Sequence, residues 1–359
     1  MEIHQFLAAA SSGDAVTNSA LRFREVLRQI GPSEIYSHHL DAGIAGEVLP
    51  LDAYAVRPTA RTGENLLLYH LSIGSVDVAS FLLRRRERVG IVYHNITPSR
   101  FFRPYDAEFA DVLDDGRREL AMMRDRASFA FAVSPYNARE LESLGYPHVN
   151  LTPLIVDVQE LAGIRPDPGM SQYLDTQMDG PLILFVGQVL PHKRPDLLLA
   201  AFHVLNTYLL PEARVAFVGP GRVAAYRVAV GRYARELNLT RAWLTGWVRD
   251  EELVAFYRAA DVLVTTSEHE GFCVPLLEAM AFEVPVVARA FAAIPETVGD
   301  AAVLLPEADD PPLLAEAVKE VLDNDGLRHS LVAKGRARLK QFEPDVARAA
   351  FAEQLLAVV

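Results

Sequence analysis

Short apolar runs recur along the chain, and each is followed by a longer stretch in which apolar positions return at helical spacing. In the first half the runs are EIHQFLA from Glu2, EIYSHHL from Glu34, NLLLYHLS from Asn65, RVGIVYHN from Arg88, FAFAVS from Phe129 and VNLTPLIVD from Val149. They are rich in β-branched and aromatic residues and predict strands. The stretch after Ala15 predicts a helix: Ala20, Leu21, Phe23, Val26, Leu27 and Ile30 share one broad face, and Arg22, Arg24, Glu25 and Arg28 take the other. Strand and helix alternating in this way predict a parallel α/β sheet.

The alternation pauses in VDVQELAGIRPDPGMSQYLDTQMDGP, a segment with several Pro, Gly and Asp residues, and then begins again. The second series is LILFVG from Leu182, VAFVG from Val215, AWLTG from Ala242, VLVTTS from Val262, VPVVA from Val284 and AVLLP from Ala302. The expectation is two doubly wound halves, 1–158 and 159–342, with a ligand cleft between them. A terminal amphipathic helix, DVARAAFAEQLLAVV from Asp345, fills 343–359 and is a candidate to return to the first half. No short-period repeat or low-complexity tract interrupts this order.

Composition narrows the function. With 359 residues, half of them hydrophobic, the chain can build two cores. A formal net charge of −12 argues against a protein that grips nucleic acid along its length, while leaving room for a small anion in a local pocket. The single cysteine, Cys273, excludes an intrachain disulfide and a zinc site of paired thiolates, and fits a reducing, cytoplasmic setting. The opening MEIHQFLAAASSGDAV has no basic region before its apolar run and reads as a first strand. No apolar run approaches the ~18–20 residues of a membrane span.

Ligands of open α/β sheets sit where strand ends lead into helix N-termini. Three such loops in the second half carry candidate chemistry. In FVGQVLPHKRPDLLLAAF, Lys193 and Arg194 stand just before Pro195 and Asp196 open a helix, so side-chain charge, backbone N–H groups and the helix dipole add up to an anion site. A solvated basic loop is the competing reading. In FVGPGR, Gly219 and Gly221 would admit a ligand close to the backbone, although Gly-Pro-Gly is also ordinary turn chemistry. In SEHEGFCVPLLEAM, Glu270 precedes a helix in which Pro275 suits the first position and Glu278 the first turn. A helix-start glutamate and an exposed one would explain these two singly. Together, two acceptor-only carboxylates flanking backbone N–H groups suit a ligand with hydroxyls at both ends and phosphates between, which is the shape of a nucleotide sugar.

Glu270, seven intervening residues and Glu278 resemble the E-x7-E signature of retaining glycosyltransferases with the GT-B fold, the group that includes bacterial mannosyl- and glucosyltransferases. FVGQVLPHKRPDLLLAAF, LTGWVRDEELVAFYRAADVLVTTS and AAIPETVGDAAVLL resemble the same family in the same order over Leu182 to about Pro306. The first half resembles it more loosely, through SSGDAVTN around Gly13 and YHNITPSRFF from Tyr93. The resemblance implies two Rossmann-like domains facing a central cleft, the first binding the acceptor and the second a nucleoside-diphosphate sugar. It implies that Glu278 holds the ribose hydroxyls and Glu270 the transferred sugar. Gly271 and the backbone N–H groups of Phe272, Cys273 and Val274 would bind sugar or phosphate, and Lys193 would neutralise the leaving diphosphate. The stretch around Trp247 and Val248 would lie beside the base, Gly13 near the donor, and His94 near the anomeric centre. A histidine at a strand end is also an ordinary hydrogen-bonded structural residue. No cofactor and no metal are expected, since fixed cations and N–H dipoles can stabilise the leaving group.

The chain departs from the family at three positions. Gln188 stands where an arginine is usual, with Arg194 as a candidate substitute cation; Cys273 and Glu283 stand where glycines are common. The activity implied is transfer of a hexose from a UDP- or GDP-sugar to a glycan, glycolipid or small-molecule hydroxyl. A nucleotide-sugar epimerase and a non-catalytic nucleotide-sugar-binding subunit stay open as alternatives. Arg84, Arg85, Arg86 and Arg88, with Arg117, Arg118, Arg124 and Arg126, suggest peripheral contact with an anionic membrane face, against the competing reading of solvated helix faces.

Overall fold

The computed structural model describes residues 1–61, 63–176 and 179–359, so Gln177 and Met178 of the Pro/Gly/Asp-rich segment lie outside the described residues. Two compact units emerge, Met1–Val156 with Phe342–Val359, and Asp157–Gln341.

The first unit holds β1 (Ile3–Ala10), β2 (Ile35–Leu40), β3 (Leu49–Pro50), β4 (Leu66–Leu71), β5 (Arg88–Tyr93), β6 (Ala127–Ala132) and β7 (Val149–Leu151). They form one parallel sheet in the order β3-β2-β1-β4-β5-β6-β7. Every residue of β4 is buried, as expected of a strand covered on both faces. The second unit holds β8 (Leu182–Val186), β9 (Arg214–Val218), β10 (Ala242–Gly246), β11 (Val262–Thr265), β12 (Val286–Arg289) and β13 (Ala302–Leu305). Their order is β10-β9-β8-β11-β12-β13, again all parallel. In each sheet the strand order reverses once, between β1 and β4 and between β8 and β11. These switch points are where an open sheet leaves a crevice at its strand ends.

The helix Ala15–Ile30 departs from the simple two-face pattern. Ile30 is 37% exposed, while Arg24 is buried to 8% with its guanidinium donating to the carbonyl and carboxylate oxygens of Glu47. The arginine reaches along the protein surface to a fixed acceptor, a burial that periodicity cannot signal. The terminal helix Pro344–Val358 lies in the first unit, where Phe351 stacks on Phe23 with ring centroids 4.2 Å apart. Around that stack lie Ile3, Leu66, Val92 and Phe131. Truncating Phe351 to alanine would cost about 3–5 kcal/mol by the usual toll of a large core cavity.

Candidate functional site

In the second unit the candidate residues come from the two strands at the switch point. After β8 the backbone is held by Gly187 N–H on Val218 O (2.9 Å) and Val189 N–H on Pro220 O (2.9 Å). A single turn, Pro191–Lys193, follows, and Arg194 takes a left-handed conformation (φ 50°) before the helix Pro195–Val204. The loop after β11 is tied to this one: Thr266 Oγ1 lies within hydrogen-bonding distance of Lys193 O (3.0 Å) and Arg194 O (2.8 Å), and Glu268 N–H donates to His192 O (2.8 Å).

That tie brings together two side chains far apart in sequence. Lys193 Nζ donates to Glu270 Oε1 at 2.6 Å, and Ser267 Oγ donates to the same oxygen at 2.9 Å. Glu270 is only 11% exposed in its side chain, so it is not a free surface carboxylate. Burial pulls the Lys193 ammonium toward neutrality, but the charge and hydrogen bond of Glu270 outweigh it, and the net shift is upward. The lysine is a fixed cation.

Past Glu270 the chain is locked from behind, with Ala293 N–H on Glu270 O (3.3 Å) and Thr297 Oγ1 donating to Phe272 O (2.6 Å). Cys273 is left-handed (φ 74°), which explains why a glycine suits that position, and it gives the helix Val274–Ala281 no side-chain cap. An uncapped helix start keeps donors available for an anion.

The helix begins at Val274, which corrects two expectations. Pro275 is its second residue, and Glu278 is the fifth, beyond the first turn where the dipole favours a carboxylate. Glu278 is fixed by a side chain instead: Tyr257 Oη donates to its Oε2 at 2.6 Å. The Tyr257 ring is buried and stacks on Phe282, with centroids 4.9 Å apart and planes within 3°. Burial raises the Glu278 pKa above the ordinary carboxylate value, and the tyrosine hydrogen bond works against that rise. The helix ends at Ala281, and past its C-cap Phe282 the left-handed Glu283 (φ 61°) completes a Schellman pattern, with Glu283 N–H on Met280 O (3.2 Å) and Val284 N–H on Ala279 O (2.8 Å).

Arg194 does not stand free as a substitute cation. Its guanidinium engages Asp196, Glu268 and Asp309. Burial opposes its charge, and these carboxylates outweigh that and raise its pKa. With Gln188 uncharged, the cations of this loop are Lys193, paired with Glu270, and Arg194, held by three carboxylates. Gly219 answers to its own backbone: at φ 141° a Cβ there would lie 2.2 Å from Gly187 O. Trp247 is 73% exposed at the end of β10, beside half-buried Val248.

In the first unit Gly13, at φ 77°, precedes Asp14, whose carboxylate accepts from Thr17 N–H (2.9 Å) to cap the first helix. His94 follows β5, with its N–H on Leu71 O (3.0 Å) and its Nε2 2.8 Å from His70 Nδ1. Behind His70, its Nε2 lies 2.8 Å from Gln5 Oε1, and Gln5 Nε2 donates to Ala20 O at 3.0 Å. Sequence reading missed Tyr257, Ser267, His70 and Gln5; each acts through a partner on another element, and no local motif marks such a pairing.

The basic cluster is largely consumed within the fold. Arg85 engages buried Glu87, Arg88 reaches Val359 O (3.0 Å), Arg126 the backbone oxygens of Arg85 and Glu87, and Arg117 pairs with Glu140. Arg118 and Arg124 pair with Asp115 and Asp125. Arg84 and Arg86 remain exposed. No helix among the described residues is long and apolar enough to cross a membrane.

The stretch that matches a known family lies within the second unit. The sequence pattern of the family described as Glycosyl transferases group 1 matches residues 170–338. O-antigen chain mannosyltransferase B of Escherichia coli is 33% identical over 165 residues, 44% of this chain and 41% of that protein. A D-inositol 3-phosphate glycosyltransferase of Xylanimonas cellulosilytica is 34% identical over 185 residues, 50% of this chain and 43% of that protein. The matched stretch thus spans less than half the length of either relative. Among solved structures, Anabaena Alr3699/HepE in complex with UDP and glucose aligns over 99% of this chain and 100% of its own with a TM-score of 0.78 and 16% identity. This likeness shows the fold, two Rossmann-like α/β domains of the GT-B kind.

Proposed function

We propose, from the match of residues 170–338 to the family described as Glycosyl transferases group 1, that this chain is a retaining glycosyltransferase that moves a hexose from a UDP- or GDP-sugar to a hydroxyl of a glycan, glycolipid or small-molecule acceptor, without a metal. The observation that carries the reading is the Lys193–Glu270 pair, 2.6 Å long, beside the uncapped start of the helix that bears Glu278. One cation, a row of backbone donors and two separately anchored carboxylates match the alternation of hydroxyls and phosphates along a nucleotide sugar.

In the proposed reaction the bond between the anomeric carbon and the diphosphate oxygen breaks, and the acceptor oxygen bonds that carbon on the same face. The acceptor proton passes to the departing diphosphate. Negative charge grows on the diphosphate as it leaves, so Lys193 and the N–H groups at Cys273 and Val274 lower the barrier where that charge develops. Lys193 turns from Glu270 toward phosphate, and Glu270 turns to the hydroxyls of the transferred sugar. Glu278, oriented by Tyr257, accepts from the ribose hydroxyls, and Trp247 with Val248 flanks the base. The relatives support a hexose donor through what their names say they transfer, and the HepE complex through the UDP and glucose it holds.

Calorimetric binding of UDP, GDP, ADP and dTDP to wild type and Glu278→Ala tests the site. One diphosphate should bind, and the substitution should weaken it by about 1–3 kcal/mol, the cost of losing a charged acceptor. Equal binding by both proteins would falsify the ribose role. The anomer of the product, read by NMR, tests retention, and turnover in excess chelator tests metal independence. A second reading, a nucleotide-sugar-binding subunit without transfer, is favoured by Gln188 together with the engagement of Arg194 by three carboxylates. Slow donor hydrolysis by the isolated chain would set it aside.

A further inference from the structure

The first unit contains a polar chain, buried at Gln5 and His70 and half-buried at His94, that the proposed reaction does not use. It runs from Ala20 O through Gln5 and His70 to His94, across β1, β4 and the end of β5, with links of 3.0, 2.8 and 2.8 Å. Gln5 is fully buried and His70 is 1% exposed, with Phe23 packed at 5.8 Å from the His70 ring. The two imidazoles lie edge to edge, their centroids 5.1 Å apart and their planes 19° apart, as an in-plane N–H···N hydrogen bond requires.

The chain has a single consistent direction. Ala20 O only accepts, so the amide nitrogen of Gln5 faces it and Gln5 Oε1 faces His70. That oxygen only accepts, so His70 carries its proton on Nε2. A neutral His70 then offers a lone pair at Nδ1, and His94 must donate to it from Nε2. Burial keeps both rings neutral: desolvation first, then the neighbouring His94, push His70 well below its ordinary range, and desolvation takes His94 down to about 3. His94 Nδ1 has no protein hydrogen-bond partner among the described residues.

We propose that Gln5 and His70 are positioning residues that lock His94 in the Nε2–H tautomer, so that its Nδ1 offers only a lone pair and takes a hydroxyl donor, not a phosphate or carbonyl oxygen, from the substrate. The tautomer rests on the hydrogen-bond chain and on the neutrality of its two rings; that the hydroxyl belongs to the acceptor rests on the proposed function.

Long-range ¹H–¹⁵N spectra of the histidine rings in the full chain, with His94→Gln to assign the signal, read the tautomer without substrate. In wild type, His70 and His94 should both carry the proton on Nε2. Gln5→Leu, which keeps the volume but removes the acceptor, should turn the His94 signal into a mixture of tautomers. With donor and acceptor present, Gln5→Leu should lower kcat by about tenfold or more, as a wrong tautomer does elsewhere, with the donor KM within about twofold. In the His94→Gln background the same change should cost nothing further, because its effect passes through His94. A wild-type His94 with its proton on Nδ1 overturns the proposal, whether or not Gln5→Leu folds. So does an equal loss from Gln5→Leu with and without His94. Absence of transfer by a wild type that shows the Nε2–H tautomer would refute the proposed function and leave the relay standing.

Discussion

Lys193 and Glu270 lie 77 residues apart in sequence and share a 2.6 Å ion pair that neither strand nor helix geometry demands. It exists because β8 and β11 are neighbours at the point where the sheet reverses its order, so their exit loops meet. In the absence of a ligand each charge answers the other, and a diphosphate would replace Glu270 as the partner of Lys193.

Lys193→Ala should therefore remove diphosphate affinity and slow transfer by about 10²–10³, the range for losing a preorganised charge partner of a leaving group. It should also destabilise the second unit by about 1–3 kcal/mol, since Glu270 is left poorly hydrated, with Ser267 as its remaining side-chain donor among the described residues. Adding Glu270→Gln should restore most of the stability and none of the binding. Calorimetry and urea denaturation on the two variants separate the effects; recovery of binding in the double variant would contradict the role given to Lys193.

Tyr257→Phe tests whether the second carboxylate needs its anchor. The substitution keeps the stacked ring and removes only the hydroxyl that donates to Glu278. Nucleotide affinity should fall by about 1 kcal/mol, roughly fivefold. The pH dependence should move as well. The Tyr257 hydrogen bond favours the ionised carboxylate, so without it Glu278 rises further above the ordinary value and protonates earlier on acidification. Binding by the variant should fade at a higher pH than in wild type, and coincident profiles would count against the anchor.

Strand content was legible from the chain because fully buried parallel strands are written as continuous apolar runs, and LLLYHL in β4 is a clear case. The two-residue β3 was not, since Leu49–Pro50 is too short to carry a period. Lys193, Glu270, Cys273 and Glu278 could be picked out because they cluster in two segments at strand exits. Tyr257 and His70 could not, because their significance lies in one oxygen or nitrogen reached across the fold. Arg194 shows the opposite limit. Its charge is plain in the sequence, but the three carboxylates that occupy it come from positions 196, 268 and 309.

Glu283→Gly should stabilise the protein. Glu283 sits in the left-handed position of a Schellman motif, where a side chain costs energy and glycine does not. What the substitution loses is the ion pair with Arg336, whose side chains are 62% and 52% exposed, and such exposed pairs contribute little. After the added freedom of glycine in the unfolded chain, a net gain of about 0.5–1 kcal/mol is expected. A thermal scan showing a lower midpoint for the variant would mean that the Arg336 contact outweighs the backbone strain.

Acidification should weaken the first unit before the second. His4, His70 and His94 in the first unit and His192 in the second are all pushed below their ordinary pKa, burial being the largest cause in each. Once the pH drops beneath about 6.5 the unfolded chain takes up protons that these folded rings refuse. The unfolded state then binds more protons than the folded one, so stability falls as pH falls, by about 1.4 kcal/mol per pH unit for each histidine that stays neutral. The carboxylates act lower: the raised Glu119 and Glu278 offset part of the loss as they take up protons, and the depressed Glu2 and Glu87 add to it below the ordinary carboxylate range. Both tryptophans, Trp243 and Trp247, belong to the second unit, so their fluorescence follows that unit while far-ultraviolet circular dichroism follows both. Between pH 7.5 and 5.5 the urea midpoint by dichroism should drop more than the midpoint by fluorescence. Equal shifts would mean that the histidines of the first unit protonate without unfolding it, and with that the buried neutral relay from Gln5 to His94 would lose its physical basis.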